Sequence, residues 1–253
     1  MAASPRYDSI GAGYAQKRQA DPRIQALIDE ALGDARTVVN VGAGAGSYEP
    51  VDVDRHVIAI EPSDVMAAQR PAHLAPAIRG TAGRLPLRDA SVDAAMAILT
   101  VHHWDSEQER GVRELRRVAR GPVVLLTIDA RVSGQMWLFA DYLPEVADLD
   151  HASFPAPERL ARWLGGPVRT RVVEVPRDTT DGMLLSFWAH PERVLEPAAR
   201  AATSGFARMQ PAIVDRCVAA VERDLASGAW DARHGALREL ASFDAGLRLI
   251  VAR

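Results

Sequence analysis

Apolar residues near the start of the chain follow a helical spacing in one segment and form short continuous runs in the next ones. Residues 22–32 show the helical spacing, through Ile24, Leu27, Ile28 and Leu32. Asp21 suits the capping position, Pro22 suits the first turn, and Gly33 suits the end of this segment. The pattern predicts a helix over 22–32.

Continuous apolar runs bounded by turn residues predict buried strands. These runs cover 37–41, 56–60, 77–80, 93–100 and 122–128. Between them, Ser63 begins a predicted helix that runs through Arg70. The capping box of Ser106 and Glu109 begins another helix, which runs to about Arg120. Strands that alternate with helices favour a parallel α/β sheet with right-handed crossovers.

The alternation changes after residue 129. A segment that contains prolines and aromatic residues covers 131–158. The elements predicted after it are helix 157–164, strand 168–175, a helical segment over 180–196, helix 211–227 and strand 246–252. No internal repeat, low-complexity tract or linker divides the sequence. We interpret residues 1–253 as one domain with helical additions in its C-terminal half.

Composition excludes several kinds of chemistry. The formal net charge is −3, so there is no basic excess that would attract nucleic acid or an anionic membrane. Lys17 is the single lysine and no Gly-Lys pair occurs, which excludes a phosphate loop of the Walker type. Cys217 is the single cysteine, which excludes a disulfide framework and a cysteine zinc site. Histidine pairs with metal-binding spacing are absent, and we predict no metal site.

Targeting segments are not evident in the sequence. No run approaches the roughly 18 uninterrupted apolar residues that a bilayer-spanning helix needs. Residues 1–16 contain no apolar core of a secretory signal. We therefore expect a cytoplasmic protein.

A glycine-rich turn directly follows the first predicted strand. Gly42, Gly44 and Gly46 form a G-x-G-x-G pattern, whereas the dinucleotide fingerprint G-x-G-x-x-G requires a glycine where Ser47 stands. Such a turn brings backbone N–H groups close to a ligand. Glu61 ends the second predicted strand, where a carboxylate can accept hydrogen bonds from both ribose hydroxyls. The pattern predicts a nucleotide-type site at the carboxyl edge of the sheet.

Four segments together resemble the class I S-adenosyl-L-methionine-dependent methyltransferases of the type 11 group. They are VVNVGAGAGS at 38–47, AIEPS at 59–63, LPLRDASVD at 85–93 and VHHW at 101–104. The resemblance covers about residues 37–129. It implies a doubly wound, mostly parallel seven-stranded Rossmann-like sheet with the last strand antiparallel.

The resemblance also implies S-adenosyl-L-methionine as cofactor and a division of the chain into three parts. Residues 1–35 would form a cover and the first helix, residues 36–129 the cofactor-binding core, and residues 130–253 the part that recognises the methyl acceptor. The implied cofactor-binding residues are Tyr14, Arg18, Asn40, Gly42, Ala43, Gly44, Glu61, Pro62, Ser63, Met66, Thr81, Ala82 and Leu99.

The resemblance assigns roles to the residues of the glycine turn and the second strand. Gly42, Ala43 and Gly44 would pass beside the methionine and ribose portions, and Glu61 would bind the ribose diol. Either Ser63 or Met66 would flank the adenine.

Three positions depart from the family pattern. Thr81 stands before Ala82 where the family usually has aspartate, which places the contact to the adenine amine in doubt. Asn40 replaces the usual acidic residue before the glycines and cannot ionise. Gly83 replaces a frequent glutamate and has no assigned role.

The N-terminal segment resembles the part of these enzymes that folds over the cofactor. Its matching residues are Tyr7, Asp8, Tyr14 and Arg18. Arg18 would pair with the methionine carboxylate, with Tyr14 hydrogen-bonding nearby. The alternative is a solvated tail with an anchoring tyrosine.

His102 and His103 are the candidate catalytic residues. They follow the fourth strand, near which the transferable methyl group lies in this fold, and histidine titrates near neutral pH. Methyl transfer needs a base only when the acceptor carries a proton at the reacting atom. We favour His103. The alternative is that one histidine packs and the other caps the next helix, while Trp104 is expected to form a cavity wall.

Several residues beyond 129 are candidates for contact with the acceptor, although each is also a candidate for the core. The first group is Trp137, Phe139 and Tyr142, and the second is Asp178, Asp181 and Trp188. Arg233 and His234 suit either an acidic substrate or a surface charge pair. Cys217 lies on the apolar face of the predicted helix 211–227 and is expected in the core.

The combined expectation is an enzyme that methylates a small organic molecule, without nucleic acid or membrane as partner. Methylation of tRNA or protein is the alternative within the same class, and the missing basic patch weighs against tRNA. A nicotinamide-dependent oxidoreductase is disfavoured by Ser47. A cofactor-binding protein without catalysis also remains open, because Asn40 and Thr81 depart from the family. The sequence does not indicate the oligomeric state.

Overall fold

The computed structural model describes residues 19–52 and 54–253, and its strands form two sheets. The strands are β1 (Thr37–Val41), β2 (His56–Glu61), β3 (Ile78–Arg79), β4 (Ala94–Ile98), β5 (Val123–Ile128), β6 (Val168–Val172), β7 (Val175–Pro176), β8 (Ser242–Phe243) and β9 (Leu247–Ala252). The main sheet has seven strands in the order β3-β2-β1-β4-β5-β9-β6, and β7 pairs with β8 separately. β1 to β5 are parallel, whereas β9 is antiparallel to β5 and β6. This confirms the predicted sheet with its antiparallel last strand.

Helices follow the strands and continue through the C-terminal half. The α-helices are α1 (Pro22–Leu32), α2 (Asp64–Ala67), α3 (Gln108–Val118), α4 (Ala130–Ser133), α5 (Pro144–Ser153), α6 (Pro157–Leu164), α7 (Pro197–Ala201), α8 (Ser204–Ala207), α9 (Pro211–Ala226) and α10 (Ala229–His234). Short 3₁₀ and π segments supplement them, including Val101–His103, Asp105–Glu107 and Leu184–Ala189. Among the described residues, no helix is both long and apolar enough to cross a bilayer.

Local sequence signals place the first helix correctly. The Asp21 carboxylate caps α1 by accepting a hydrogen bond from the N–H of Arg23 at 2.9 Å. Pro22 occupies the first turn, and Gly33 follows the last one at a φ of 56°. The predicted bounds of 22–32 are confirmed because capping, proline and glycine signals all act within a few residues.

Both faces of the main sheet are buried. Successive side chains of a strand point to opposite faces, so Val38 and Met96 lie on the face covered by α1 and the C-terminal aromatic residues. Val39 and Ala97 lie on the other face, which α3 and α6 cover. This arrangement is typical of a doubly wound sheet, and it brings the carboxyl ends of β1, β2 and β4 to one edge.

The helix predicted from Ser63 through Arg70 is shorter than expected. Ser63 caps α2 as predicted, since its Oγ accepts a hydrogen bond from the Met66 N–H at 3.2 Å. The helix ends at Ala67. Pro71 follows Arg70, and the residue before a proline disfavours helical backbone.

The predicted capping box of Ser106 and Glu109 is wrong. The chain leaves β4 through two 3₁₀ turns, which place Ser106 within the turn Asp105–Glu107, and α3 begins at Gln108 without a side-chain cap. The Glu109 carboxylate instead accepts hydrogen bonds from Arg113, one helical turn later.

The strand predicted over 168–175 is divided between the two sheets. β6 pairs with β9 as far as Val172 opposite Arg248, and the Val173 N–H then bonds the Leu247 carbonyl at 3.0 Å. Gly246, with a φ of 95°, turns the chain just before β9 begins at Leu247. β9 therefore has no earlier residue with which β6 could continue to pair. The following residues therefore pair elsewhere, as β7.

Candidate cofactor and acceptor site

The glycine turn packs tightly between β2 and the end of β4. The N–H groups of Gly42 and Ala43 both bond the Ile60 carbonyl, at 2.9 and 3.0 Å. Gly42 has a φ of 72°, and a Cβ atom there would lie 2.1 Å from the Thr100 Oγ1. Only glycine fits this position, because any side chain would meet both an unfavourable backbone conformation and a steric clash.

The Glu61 carboxylate joins the glycine turn to the turn that follows β2. One oxygen accepts the N–H of Gly44 at 2.8 Å, and the other accepts the N–H of Ser63 at 2.8 Å. The residue is only 7% exposed. These two bonds fix the orientation of the carboxylate at the edge of the sheet.

The residues after Glu61 line the same edge. Ser63 and Met66 are buried and Pro62 is partly buried. The Met66 Cε atom lies 3.4 Å from the position that a Cβ atom would take at Gly44. A thioether side chain therefore packs directly against the outer part of the glycine turn.

The remaining predicted contacts follow β3 and β4. Thr81 lies two residues beyond Arg79, which pairs with the end of β2; Thr81 is exposed, and the next residue, Ala82, is buried. Leu99 directly follows β4 with a φ of 51°, and its N–H bonds the Leu126 carbonyl at 2.8 Å. A non-glycine residue at positive φ is strained. Tyr14 and Arg18 lie outside the described residues.

A buried polar chain that the sequence did not indicate lies beneath the glycine turn. The Asn40 amide donates to Glu49 at 2.9 Å, and Arg70 donates to the other Glu49 oxygen at 2.7 Å. The Glu49 and Arg70 side chains are 0% and 3% exposed. The Oδ1 of Asn40 is buried and accepts no hydrogen bond within the described residues. Glu49 therefore supplies a carboxylate next to the position where the family usually carries one.

A second carboxylate lies beside another departure from the family pattern. A Cβ atom at Gly83 would lie 1.7 Å from the Glu107 Oε2. Glu107 therefore occupies the space beside Gly83, where the family frequently has glutamate. No local motif relates Gly83 to Glu107.

The two candidate histidines lie together after β4. Their ring centroids are 3.7 Å apart, and the His102 ring also stacks on Phe154 at 3.9 Å and 20°. His102 is 7% exposed, whereas His103 is partly buried. Trp104 packs against α3 beside Gly111. Phe154 was missed from the sequence, because only the fold brings the end of α5 to this point.

Most of the aromatic candidates beyond residue 129 belong to the core. Trp137, Phe139 and Tyr142 are buried in the cluster that covers one face of the sheet. The indole N–H of Trp137 donates to the Trp188 carbonyl at 2.8 Å, and Trp188 is itself 0% exposed. These side chains stabilise the fold on that face of the sheet.

The second predicted patch is not a single cluster. Asp178 lies at the surface and pairs with Arg23 at 2.7 Å. Asp181 is buried, and one of its oxygens accepts the Tyr48 hydroxyl at 3.0 Å. Since Tyr48 follows the glycine turn, Asp181 ties the C-terminal half to the cofactor-side edge.

The charged candidates pair with nearby carboxylates, and the cysteine is buried in the core. Arg233 donates to Asp224, and His234 lies 2.8 Å from an Asp141 oxygen, which is the surface charge pairing weighed above. Cys217 is 0% exposed, which confirms its place in the core, and burial raises the pKa of its thiol to about 11. Residues 19–52 and 54–253 contain no group of three or more potential metal ligands.

Comparisons with known proteins identify related sequences and structures. A family model described as a methyltransferase domain matches residues 39–126. A protein of Anabaena variabilis, assigned as a methyltransferase from an antibiotic biosynthesis pathway, is 31% identical. Its structure superposes with a TM-score of 0.85 over 94% of this chain and 99% of that one. Comparison with curated proteins finds no match.

More distant structures share the fold. Geranyl diphosphate C-methyltransferase from Streptomyces coelicolor, solved with S-adenosyl-L-homocysteine, is 16% identical with a TM-score of 0.50 over 91% of this chain and 77% of that one. The [4+2]-cyclase SpnF is 18% identical with a TM-score of 0.55 over 99% and 94%. The full-length similarity to the Anabaena protein and the matched methyltransferase domain establish the family: the chain belongs to the class I methyltransferases of the type 11 group and uses S-adenosyl-L-methionine.

Proposed function

We propose that this methyltransferase acts on a small organic molecule by in-line displacement, with Glu61 as the residue that fixes the ribose of the cofactor. The observation that carries the assignment of Glu61 is its bridging position. Its two oxygens are held by backbone N–H groups of Gly44 and Ser63, both at 2.8 Å. A carboxylate held in this way can accept hydrogen bonds from a diol without reorganising.

The other proposed contacts surround Glu61. Gly42, Ala43 and Gly44 present backbone to the methionine and ribose portions, and Met66 packs beside the glycine turn. Asn40 offers its buried Oδ1 at the same end of β1. The further proposed contacts are Tyr14, Arg18, Pro62, Ser63, Thr81, Ala82 and Leu99.

The chemistry requires alignment more than it requires a nucleophile on the protein. The cofactor supplies an activated methyl group on a positively charged sulfur. Holding the acceptor in line with that group can contribute roughly 7–11 kcal/mol in well-oriented systems. For an acceptor that carries a proton, we propose His103 as the base, with His102 held in place by its stacking on Phe154 at 3.9 Å.

A small acceptor is supported by the nature of the related proteins and by charge. The Anabaena relative matches through the C-terminal half as well, and it is assigned to an antibiotic biosynthesis pathway. The net charge of −3 shows no overall basic excess of the kind that favours binding of tRNA.

Calorimetric titration with S-adenosyl-L-homocysteine tests the cofactor site. We expect Glu61→Gln to weaken binding by about ten- to a hundred-fold, because a glutamine has one accepting oxygen for two backbone N–H donors. Glu109→Gln, at an exposed residue on α3, is the matched control and should bind like the unmodified protein. Equal affinities for Glu61→Gln and the control would exclude Glu61 as a cofactor residue, and binding of a nicotinamide dinucleotide instead would contradict the assignment.

His103→Asn tests the proposed base. With a phenolic or alcoholic acceptor we expect turnover to fall by about a hundred-fold while S-adenosyl-L-homocysteine binds normally. Unchanged turnover over pH 6–9 would remove His103 from the mechanism.

A further inference from the structure

A groove on the main sheet lies far from the glycine turn. It has a volume of about 300 Å³ and is bounded by α1, by β9 and by the edge strand β6. β4, β5 and β9 separate β6 from β1, the strand that leads into the glycine turn. Four strand spacings amount to about 19 Å, and the volume is at the lower end of the range for ligand-binding pockets. The groove is therefore distinct from the proposed methyl-transfer site.

The floor of the groove is apolar because α1 covers only part of the sheet. α1 packs against β5, two strands inward from the edge. Leu27 and Ala31 lie four residues apart and share the face of α1 that meets the groove. Leu249 and Val251 lie two residues apart and share a face of β9. Leu249 is buried, whereas the other three are only partly buried, so the floor is partly open to a ligand.

Arginines surround this floor. Arg169 and Arg171 alternate along β6 and therefore lie on the same side of the sheet. Arg169 pairs in register with Val251, so Arg253 is its diagonal neighbour on the adjacent strand, about 7–8 Å away along the backbone. All three arginines are exposed. Glu30 accepts a hydrogen bond from Arg171 at 3.2 Å. Among the described residues that line the groove, three guanidinium groups therefore accompany one carboxylate.

We propose that this groove binds a small amphipathic anion, a molecule with a carboxylate or phosphate head on an apolar body. The head would lie between Arg169 and Arg253, because guanidinium groups bind both kinds of anion through paired N–H donors. An anion at this point also offsets the repulsion between neighbouring positive charges. The body would cover Leu27, Ala31 and Val251 and remove their exposed apolar surface from water.

Charge and size favour this ligand over other occupants. A neutral or cationic molecule would leave the clustered guanidinium groups uncompensated. An extended acidic peptide needs more room than a groove of about 300 Å³ provides. A second copy of the chain could pair along the edge strand, but two β6 strands side by side would place Arg169 and Arg171 next to further arginines, which is destabilising.

The test is an NMR titration of the full, isotope-labelled chain at neutral pH and low ionic strength. The probes are octyl phosphate and octanoate, kept below the concentration at which they form micelles. The reference compounds are octanol, which lacks the charge, and inorganic phosphate, which lacks the apolar body. We expect both acids to bind at least about ten-fold more tightly than either reference compound, and to shift the backbone amide signals of residues 168–171 and 249–253.

Variants test the two parts of the groove separately. Arg169→Gln should weaken binding of both acids about ten-fold and leave octanol unchanged. Arg162→Gln is the matched control, at an exposed arginine of α6, which covers the opposite face of the sheet. Val251→Thr should weaken binding of octyl phosphate about three-fold without affecting inorganic phosphate, because it replaces a methyl group of the floor by a hydroxyl.

Several results would overturn the proposal. Equal affinity for inorganic phosphate and octyl phosphate would mean an adventitious ion only, and equal affinity for octanol would mean that the arginines select nothing. The same loss in Arg169→Gln and Arg162→Gln, or shifts confined to amides elsewhere, would exclude the groove as the binding site. Tighter binding of a glutamate-rich peptide, or a dimer that Arg169→Gln weakens, would assign the groove to a protein partner instead.

Discussion

The cofactor-side edge of the sheet and the C-terminal half hold their buried polar groups in different ways. At the edge, Glu61 and Glu49 are fixed by backbone N–H groups, an amide and a guanidinium. In the C-terminal half, a large cluster of aromatic side chains is buried, and the indole N–H groups of Trp188 and Trp230 have no partner within the described residues. The polar groups of the edge are positioned by directed bonds, whereas the aromatic cluster is held mainly by packing, so the edge should tolerate substitution less.

The Glu49–Arg70 pair provides the strongest test of this difference. Arg70→Met would leave a fully buried carboxylate without its guanidinium, which typically costs about 3–5 kcal/mol. Urea unfolding would measure this loss. Arg79→Met removes a guanidinium from an exposed pair at 2.6 Å with Asp64, and it should cost less than about 1 kcal/mol. Similar losses for the two variants would show that the buried pair has no special weight.

A substitution of Gly42 tests whether the glycine turn depends on the lack of a side chain at this position. Gly42→Ala combines an unfavourable positive φ, about 1–2 kcal/mol, with the 2.1 Å approach to Thr100. Overpacking adds about 1–3 kcal/mol, and we expect binding of S-adenosyl-L-homocysteine to be lost.

Gly228→Ala is the matched control for Gly42→Ala. Gly228 has a φ of 75° against 72° at Gly42, but no atom lies within 4 Å of its added Cβ. It should cost about 1–2 kcal/mol through the backbone conformation alone and leave cofactor binding intact. If both variants lost the same stability, the contact with Thr100 would be irrelevant.

The contrast also explains which features the sequence could predict. The helix at 22–32, the glycine turn and Glu61 depend on residues that are neighbours in the chain, where capping and turn chemistry act. The partners of those features could not be found in the same way. Glu49, Glu107 and Phe154 reach the site only through tertiary packing, and no local pattern distinguishes them from exposed charges or core aromatics.

Asn40→Asp would restore the residue type that the family usually has, yet we expect it to impair this protein. The new carboxylate would lie about 3 Å from a Glu49 oxygen, in place of the amide that donates at 2.9 Å. Two like charges at that distance in a buried site disfavour each other. We expect binding of S-adenosyl-L-homocysteine to weaken about ten-fold at pH 8, a loss of about 1.4 kcal/mol.

Asn40→Ala is the reference for that substitution. It removes the amide without adding charge, so it should bind more tightly than Asn40→Asp at pH 8. Tighter binding by Asn40→Asp than by the unmodified protein would mean that Glu49 does not replace the missing acidic residue.

The smallest expected effect lies in the C-terminal half and compares two tryptophans. Trp137→Phe and Trp188→Phe remove similar volume from buried positions, but only Trp137 donates a hydrogen bond, to the Trp188 carbonyl at 2.8 Å. Trp137→Phe should therefore unfold at lower urea, by about 1 kcal/mol relative to Trp188→Phe, because it leaves a buried carbonyl without its donor. Neither variant should change S-adenosyl-L-homocysteine affinity more than two-fold. Equal stability of the two would mean that the hydrogen bond of Trp137 adds nothing to the packing of the aromatic cluster, and the contrast between that cluster and the bonded carboxylates of the edge would then be sharper.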